Sequence, residues 1–287
     1  MNEFVILSDS CHDLPKELIA QLNVGVAPLS VEYDEKTVFD DGEMAPKAFY
    51  DGIRNGKMPK TSAVNLEGWK KLMKPALAEG KDVLALCFAY GLSTTYQSAV
   101  IAADELREKY PDRKILVIDT HSASVGHGLI VWNAAKLRAE GKTIEEVYAW
   151  VEENMLHVCH WVTVNDLMHL KRGGRLNAAT AVVGSMLKIK PIIHVDNEGK
   201  LINVAKARGR KASIDALAKK VGELGSGYDN STCFISHGDC IEDAQYLEKL
   251  LKEKYGVKEV VIGYVGAVIG SHAGPGVLAL FFLGEHK

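Results

Sequence analysis

The sequence predicts an α/β fold in two parts: a parallel-sheet N-terminal domain over residues 1–156 and an α+β C-terminal domain over 157–287. Three observations carry this. Strand, polar loop and helix alternate through the first half, which implies parallel strands joined by right-handed crossovers. A hairpin pattern then breaks the alternation beyond about residue 157. No repeat or low-complexity linker separates the two parts, so the boundary rests on that change of pattern.

The elements follow in order. Phe4–Leu7 is a short apolar strand, and Asp13-Leu14-Pro15 supplies a cap and a helix-opening proline for a helix reaching about Gln21. Val24–Tyr33 is strand-like. A turn-rich Asn55–Lys60 leads to Thr61-Ser62, and Asn65 is placed to cap an amphipathic helix from about Leu66. Asp82–Phe88 is a buried strand running into Gly91-Leu92-Ser93-Thr94-Thr95, and the following helix continues through about Lys109 before Pro111. Lys114–Asp119 is the next strand, with helices at Ser124–Ala139 and Ile144–Asn154. In parallel sheets ligands collect at the carboxyl ends of strands, so Ser8–Ser10, Tyr90–Thr95 and Asp119–Ser122 should share one rim. In the second half, Val158–Val164 is a strand. Pro191–Val195 and Leu201–Ala207 form a hairpin across Asp196-Asn197-Glu198-Gly199. Helices near Ser213–Glu223 and Ile241–Lys254 separate strands at Thr232–Ser236 and Val257–Val265.

Composition narrows the class. A hydrophobic fraction of 47% with 25% charged residues is that of an ordinary soluble globular chain. A net charge of -3 gives no general pull toward nucleic acid or an anionic membrane. The chain enters its first strand without a basic leader, and no apolar stretch nears bilayer-spanning length. Five scattered cysteines, an odd number set mostly in apolar runs, argue for reduced thiols. A cytoplasmic protein without stable membrane insertion is the expectation.

The richest local signal is Gly270-Ser271-His272-Ala273-Gly274-Pro275-Gly276, between the apolar runs Val257–Val268 and Val277–Leu283. Three glycines, a proline, a hydroxyl and an imidazole suit a loop whose backbone approaches something closely. A tight turn with an incidental histidine fits the same residues. Thr61 and Ser93-Thr94-Thr95 are open to two readings as well: helix capping, or hydroxyls and helix amides converging on an anion. Lys171-Arg172-Gly173-Gly174-Arg175 is a basic, glycine-broken turn without a Walker pattern, either a solvated turn or an anion site. Lys206, Arg208, Arg210 and Lys211 form a second basic cluster, either a charged face or a docking surface. Neither has the aromatic interleaving of single-strand nucleic-acid binding. His12, His121, His127, His157, His160 and His237 give no metal-ligand spacing, and no cofactor is implied. Ser93 with His272 could form a nucleophilic pair, but no carboxylate is assignable to orient the base.

Taken together, six segments resemble the DegV family of bacterial fatty-acid-binding proteins. They are Leu7-Ser8-Asp9-Ser10 with Asp13-Leu14-Pro15, Thr61-Ser62, Gly91–Ala99, Leu170–Arg175, Leu187-Lys188-Ile189-Lys190-Pro191 and Gly270–Gly276, in family order over nearly the whole chain. The resemblance implies two domains with a long-chain fatty acid between them. It implies that Thr61 and Ser93 hydrogen-bond the carboxylate, with His272 beside the same head group. Arg175 and basic residues such as Arg208 become candidates for the head-group rim or for docking a separate ATP-dependent fatty acid kinase, which would phosphorylate the bound acid. The chain departs from the family pattern at Ala63-Val64-Asn65, at Thr94 where glycine is usual, and at Ala273 where threonine is usual. Thr94 either crowds the head group or adds a donor.

The expected function is therefore a carrier: a carboxylate held by Thr61, Ser93 and His272, a tail in an apolar channel, and an imidazole whose positive form the carboxylate would favour. A stand-alone acyl hydrolase using Ser93 and a regulatory interaction protein without lipid are the other two classes.

Overall fold

A computed structural model describes residues 3–40, 44–176 and 189–285. Leu187-Lys188 of the sequence motif lies outside the described residues. The first half comprises β1 (Phe4–Asp9), α1 (Lys16–Leu22), β2 (Val24–Ala27), β3 (Ser30–Tyr33), β4 (Lys36–Phe39), α2 (Pro46–Arg54), β5 (Lys60–Ser62), α3 (Leu66–Ala78), β6 (Asp82–Cys87), α4 (Thr95–Lys109), β7 (Ile115–Asp119), α5 (Ser124–Ala139) and α6 (Ile144–Asn154). The second comprises β8 (Val158–Thr163), α7 (Leu167–Arg172), β9 (Ile189–Val195), β10 (Leu201–Arg208), α8 (Arg210–Leu224), β11 (Thr232–His237), α9 (Ile241–Tyr255), β12 (Glu259–Tyr264), α10 (Ala267–Ala273) and β13 (Leu278–Leu283).

The strands form three sheets. The order β2-β1-β6-β7 is fully parallel. Every residue of β6 is buried, as a central strand covered on both faces requires. The order β10-β9-β8-β13-β11-β12 is antiparallel except for the β11–β12 pair. The order β4-β3-β5 is a small antiparallel sheet.

Helices α3 and α4 cover one face of the parallel sheet, through Trp69, Met73 and Leu106. On the other face α5 is shared with the six-stranded sheet, and Leu86, Ile130, Phe234 and Phe281 meet in one cluster. Residues 124–131 of α5 are consequently all buried, so this helix shows no polar face over two turns. A Cβ at Gly126 would lie 2.3 Å from His160 Nε2, so only glycine lets the helix sit this close to the sheet. Helices α8 and α9 cover the six-stranded sheet's far face through Leu217, Val221, Leu247 and Leu251.

The predicted rim forms. Asp9, at the end of β1, accepts from Cys11 N at 3.1 Å and from Phe88 N at 2.7 Å. Asp119, at the end of β7, accepts from Tyr90 N at 3.2 Å and from His121 N at 2.9 Å. Asn65 caps α3 as expected, accepting from Gly68 N at 2.9 Å.

Several expectations are corrected. The run Val24–Tyr33 is two strands in different sheets, because the chain leaves the parallel sheet at Pro28 and turns back into β3. Asp13 does not cap α1. It takes φ 48° and receives a hydrogen bond from Ser124 Oγ at 2.5 Å, while Pro15 precedes the helix with no side-chain cap. The run Val257–Val268 ends as a strand at Tyr264, and Gly270–Gly276 is not a loop throughout, since α10 runs through Ala273. β-branched residues there favour a strand by propensity, but the sheet stops where Val265 N donates to His237 O at 2.9 Å. In the basic cluster spanning the end of β10 and the start of α8, Arg210 pairs with Asp243 at 2.8 Å and Lys211 with Asp215 at 3.1 Å, which satisfies the charged-face reading for those two.

Burial raises the Asp9 carboxyl to about 7, against the lowering effect of its two backbone donors. The folded state then holds a proton that the unfolded chain has released between about pH 4 and pH 7, so Asp9 costs stability as pH rises through that window, at up to about 1.4 kcal/mol per pH unit. Denaturation of wild type against Asp9→Asn should show a stability difference that moves against wild type by several kcal/mol from pH 4 to pH 7. A difference independent of pH would refute the assignment.

Candidate functional site

Strand alternation builds the site. On the six-stranded sheet the residues opposite to those meeting α8 and α9 are His160, Val162, Ile193, Val195, Ser236, Ala279 and Phe281. They form one wall of a cavity of about 540 Å³, within the range of small-molecule sites of about 300–1,000 Å³. The opposite wall comes from Leu29, β5, the loop after β6 and α10, so the cavity lies between the six-stranded sheet and these loops, β5 and α10. Apolar side chains dominate it.

Thr61, Ser93, Thr94, Arg175 and His272 all line this cavity. Each arrives on a different element. Thr61 sits in β5, and its Oγ1 is 2.8 Å from His272 Nε2, a contact across 211 residues of sequence. Its hydroxyl is thus no helix cap. Ser93 Oγ accepts from Thr95 N at 3.2 Å and lies 2.9 Å from Thr95 Oγ1, so the capping reading and the cavity position hold together. Thr94 is the N-cap residue of α4 but makes no side-chain capping bond. Its side chain is exposed. Arg175 Nε donates to Leu92 O at 3.3 Å and Nη1 to Gly173 O at 2.6 Å, which ties the turn after α7 to the Ser93 loop.

Residues 171–175 are therefore the last turn of a helix and its reversal rather than a free turn, with Gly173 as C-cap. Sequence reasoning missed why glycine stands at 173. A Cβ there would lie 2.3 Å from His272 Nδ1, so the imidazole packs directly on the backbone. It also missed Ser124, His160 and Ser236 as cavity residues. The available signal was the polar Ser236 closing the apolar run Cys233-Phe234-Ile235.

Burial, and secondarily the Arg175 charge, push His272 down to about 4. The imidazole is neutral at pH 7, and Arg175 carries the positive charge at this end. The expected imidazolium would need a neighbouring carboxylate to offset burial and the Arg175 charge. The His272 ring bonds Thr61, and Ser93 bonds Thr95, so the Ser93–His272 hydrogen bond needed by a hydrolase is not made.

A second cavity of about 350 Å³ adjoins this end, sharing Thr61, Arg175 and His272 and adding Lys57, Lys60, His169 and Arg172. It is a basic vestibule. Among the described residues, no three His, Cys, Asp or Glu side chains group to hold a metal ion, and no helix is long and apolar enough to cross a membrane.

Comparison with known proteins gives consistent matches. The family model described as DegV, uncharacterised protein, matches residues 3–285. A DegV domain-containing protein of Clostridium perfringens is 45% identical over 289 residues, covering 100% of this chain and 99% of its own. A fatty acid binding DegV family protein of Thermus thermophilus superposes with a TM-score of 0.89 at 31% identity, covering 99% of this chain and 100% of that one. A fatty acid binding DegV family protein of Streptococcus agalactiae gives a TM-score of 0.86 at 28% identity, with 100% of both chains covered.

His272 should titrate near pH 4 in lipid-free protein followed by NMR, and Arg175→Gln should move that value upward. Titration of the wild-type ring at its ordinary 6.5 would show that it is not buried as described.

Proposed function

From the premise that this chain belongs to the DegV family, we propose that it binds a long-chain fatty acid, carboxylate at the Thr61, Ser93, Arg175 and His272 end and tail along the apolar walls. The observation that carries this reading is one cavity joining a polar, cationic end to a long apolar wall on the six-stranded sheet. The fatty acid binding of the Thermus and Streptococcus proteins supports it. In this reading the chain is two domains meeting near residues 156 and 157, with the ligand at their seam.

The energetics suit an acyl chain. Burying roughly ten to fifteen methylenes at about 0.8 kcal/mol each yields on the order of 10 kcal/mol before ordering costs. A desolvated carboxylate needs donors, and hydroxyls facing a charged acceptor return about 1.5–3 kcal/mol each. Thr61 and Ser93 supply O–H groups. Arg175 supplies the opposite charge, and neutral His272 orients Thr61. Thr94 stands at the rim.

The chain acts as a carrier that presents its ligand to a separate ATP-dependent fatty acid kinase. The γ-phosphoryl group passes from ATP to a carboxylate oxygen, leaving ADP and an acyl phosphate. Two features support this: no Walker pattern occurs in the sequence, and the basic vestibule beside the carboxylate end has room and charge for a phosphoryl group. Acyl phosphate should therefore form only when ATP and a separate kinase are both supplied.

Lipid extraction and mass spectrometry of purified protein should find about one free fatty acid per chain. Thr61→Ala and Ser93→Ala should each weaken fatty-acid binding about ten- to a hundredfold. Wild-type affinity in the double variant would overturn the assignment.

A further inference from the structure

The cavity carries a second polar point away from the carboxylate end. We propose that the Ser124–Ser236 hydroxyl pair accepts a hydrogen bond from a hydroxyl group partway along the acyl chain, making a mid-chain hydroxy fatty acid the preferred ligand over its saturated parent. This rests on the fatty-acid reading above and deepens it.

Proton counting assigns the chemistry. Ser124 Oγ donates to Asp13 Oδ2 at 2.5 Å. Ser124 Oγ and Ser236 Oγ are 3.0 Å apart, so with the Ser124 hydrogen spent on Asp13, the hydrogen between the two belongs to Ser236. Both hydroxyl hydrogens then point inward, and the pair offers the cavity only lone pairs. His160 adds no donor there. Its Nδ1 lies 2.8 Å from Val158 O and its Nε2 accepts from Ala123 N at 3.3 Å.

A saturated tail leaves these lone pairs desolvated without a donor, and a hydroxyl supplies one. The same inventory fixes the ligand's orientation. A carboxylate has no hydrogen to give at neutral pH, and beside Asp13 it would find no cation, whereas Arg175 stands at the other end.

The position follows from α10. Val265 N bonds His237 O, next to Ser236, and Val265, Val268, Ile269 and His272 line the cavity in succession. His272 lies roughly 8 Å along α10 from Ala267, at about 1.5 Å per residue. An extended acyl chain anchored at His272 passes the serines well before its methyl end.

The test uses lipid-free full-length protein, with calorimetric or displacement titration of stearate, 10-hydroxystearate and 10-oxostearate. The hydroxy acid should bind about five- to tenfold tighter than stearate, and the oxo acid, which has no hydrogen to donate, should show no gain. Ser236→Ala should bring the hydroxy acid down to the stearate level. Equal binding of stearate and 10-hydroxystearate by the wild type, or an equal gain for the oxo acid, overturns the proposal. Failure of all three ligands to bind would instead strike the fatty-acid reading, and this proposal with it.

Discussion

The carboxyl group of Asp9 holds the functional end of the molecule in place. Burying such a group without a cation is expensive, and the fold answers with two backbone N–H donors rather than an ion pair. Those donors belong to the turn after β1 and the residue after β6, so one side chain sets the spacing between neighbouring strand ends. Asp119 does the same for Tyr90. Between them, the two aspartates fix the stretch from Phe88 to Tyr90 that leads into the Ser93 loop. Displacing either would shift the Ser93 hydroxyl relative to Thr61, which reaches the cavity from a separate sheet.

Charge is distributed unequally around the cavity. Arg175 and the vestibule lysines stand at one end, while Asp13, Asp40 and Asp9 lie near one another on the side of Ser124. Mutual repulsion among these acids and their burial act in the same direction, raising Asp9 and Asp13.

Local chemistry made much of the fold legible. Helix α6 begins and ends where its pattern said, because Thr143 and Glu146 form a capping box at its start. Helix α5 was equally clear in extent, although its burial on all sides depends on a second sheet that no local pattern announces. Helix α10 was misread because Val265, Val268 and Ile269 favour a strand by propensity, and only the end of the sheet and its packing turn that segment into a helix. The small β4-β3-β5 sheet was invisible, since exposed Lys36–Phe39 has no buried face to alternate. As for the candidate site, the family resemblance brought Thr61, Ser93, Thr94, Arg175 and His272 together on paper. Spacing alone could not, because Thr61 and His272 meet only through tertiary structure. Neutral His272 was likewise unreadable, as burial depends on the packing around Gly173.

The Thr61–His272 contact spans 211 residues, with its second partner near the last strand of the fold. Long sequence separation delays such contacts, and the N-terminal sheet can assemble while the rest is still being synthesised at about 5–20 residues per second. The cavity closes only once α10 and β13 have left the ribosome. Residues from both ends of the sequence must therefore be in place before the cavity has a complete lining.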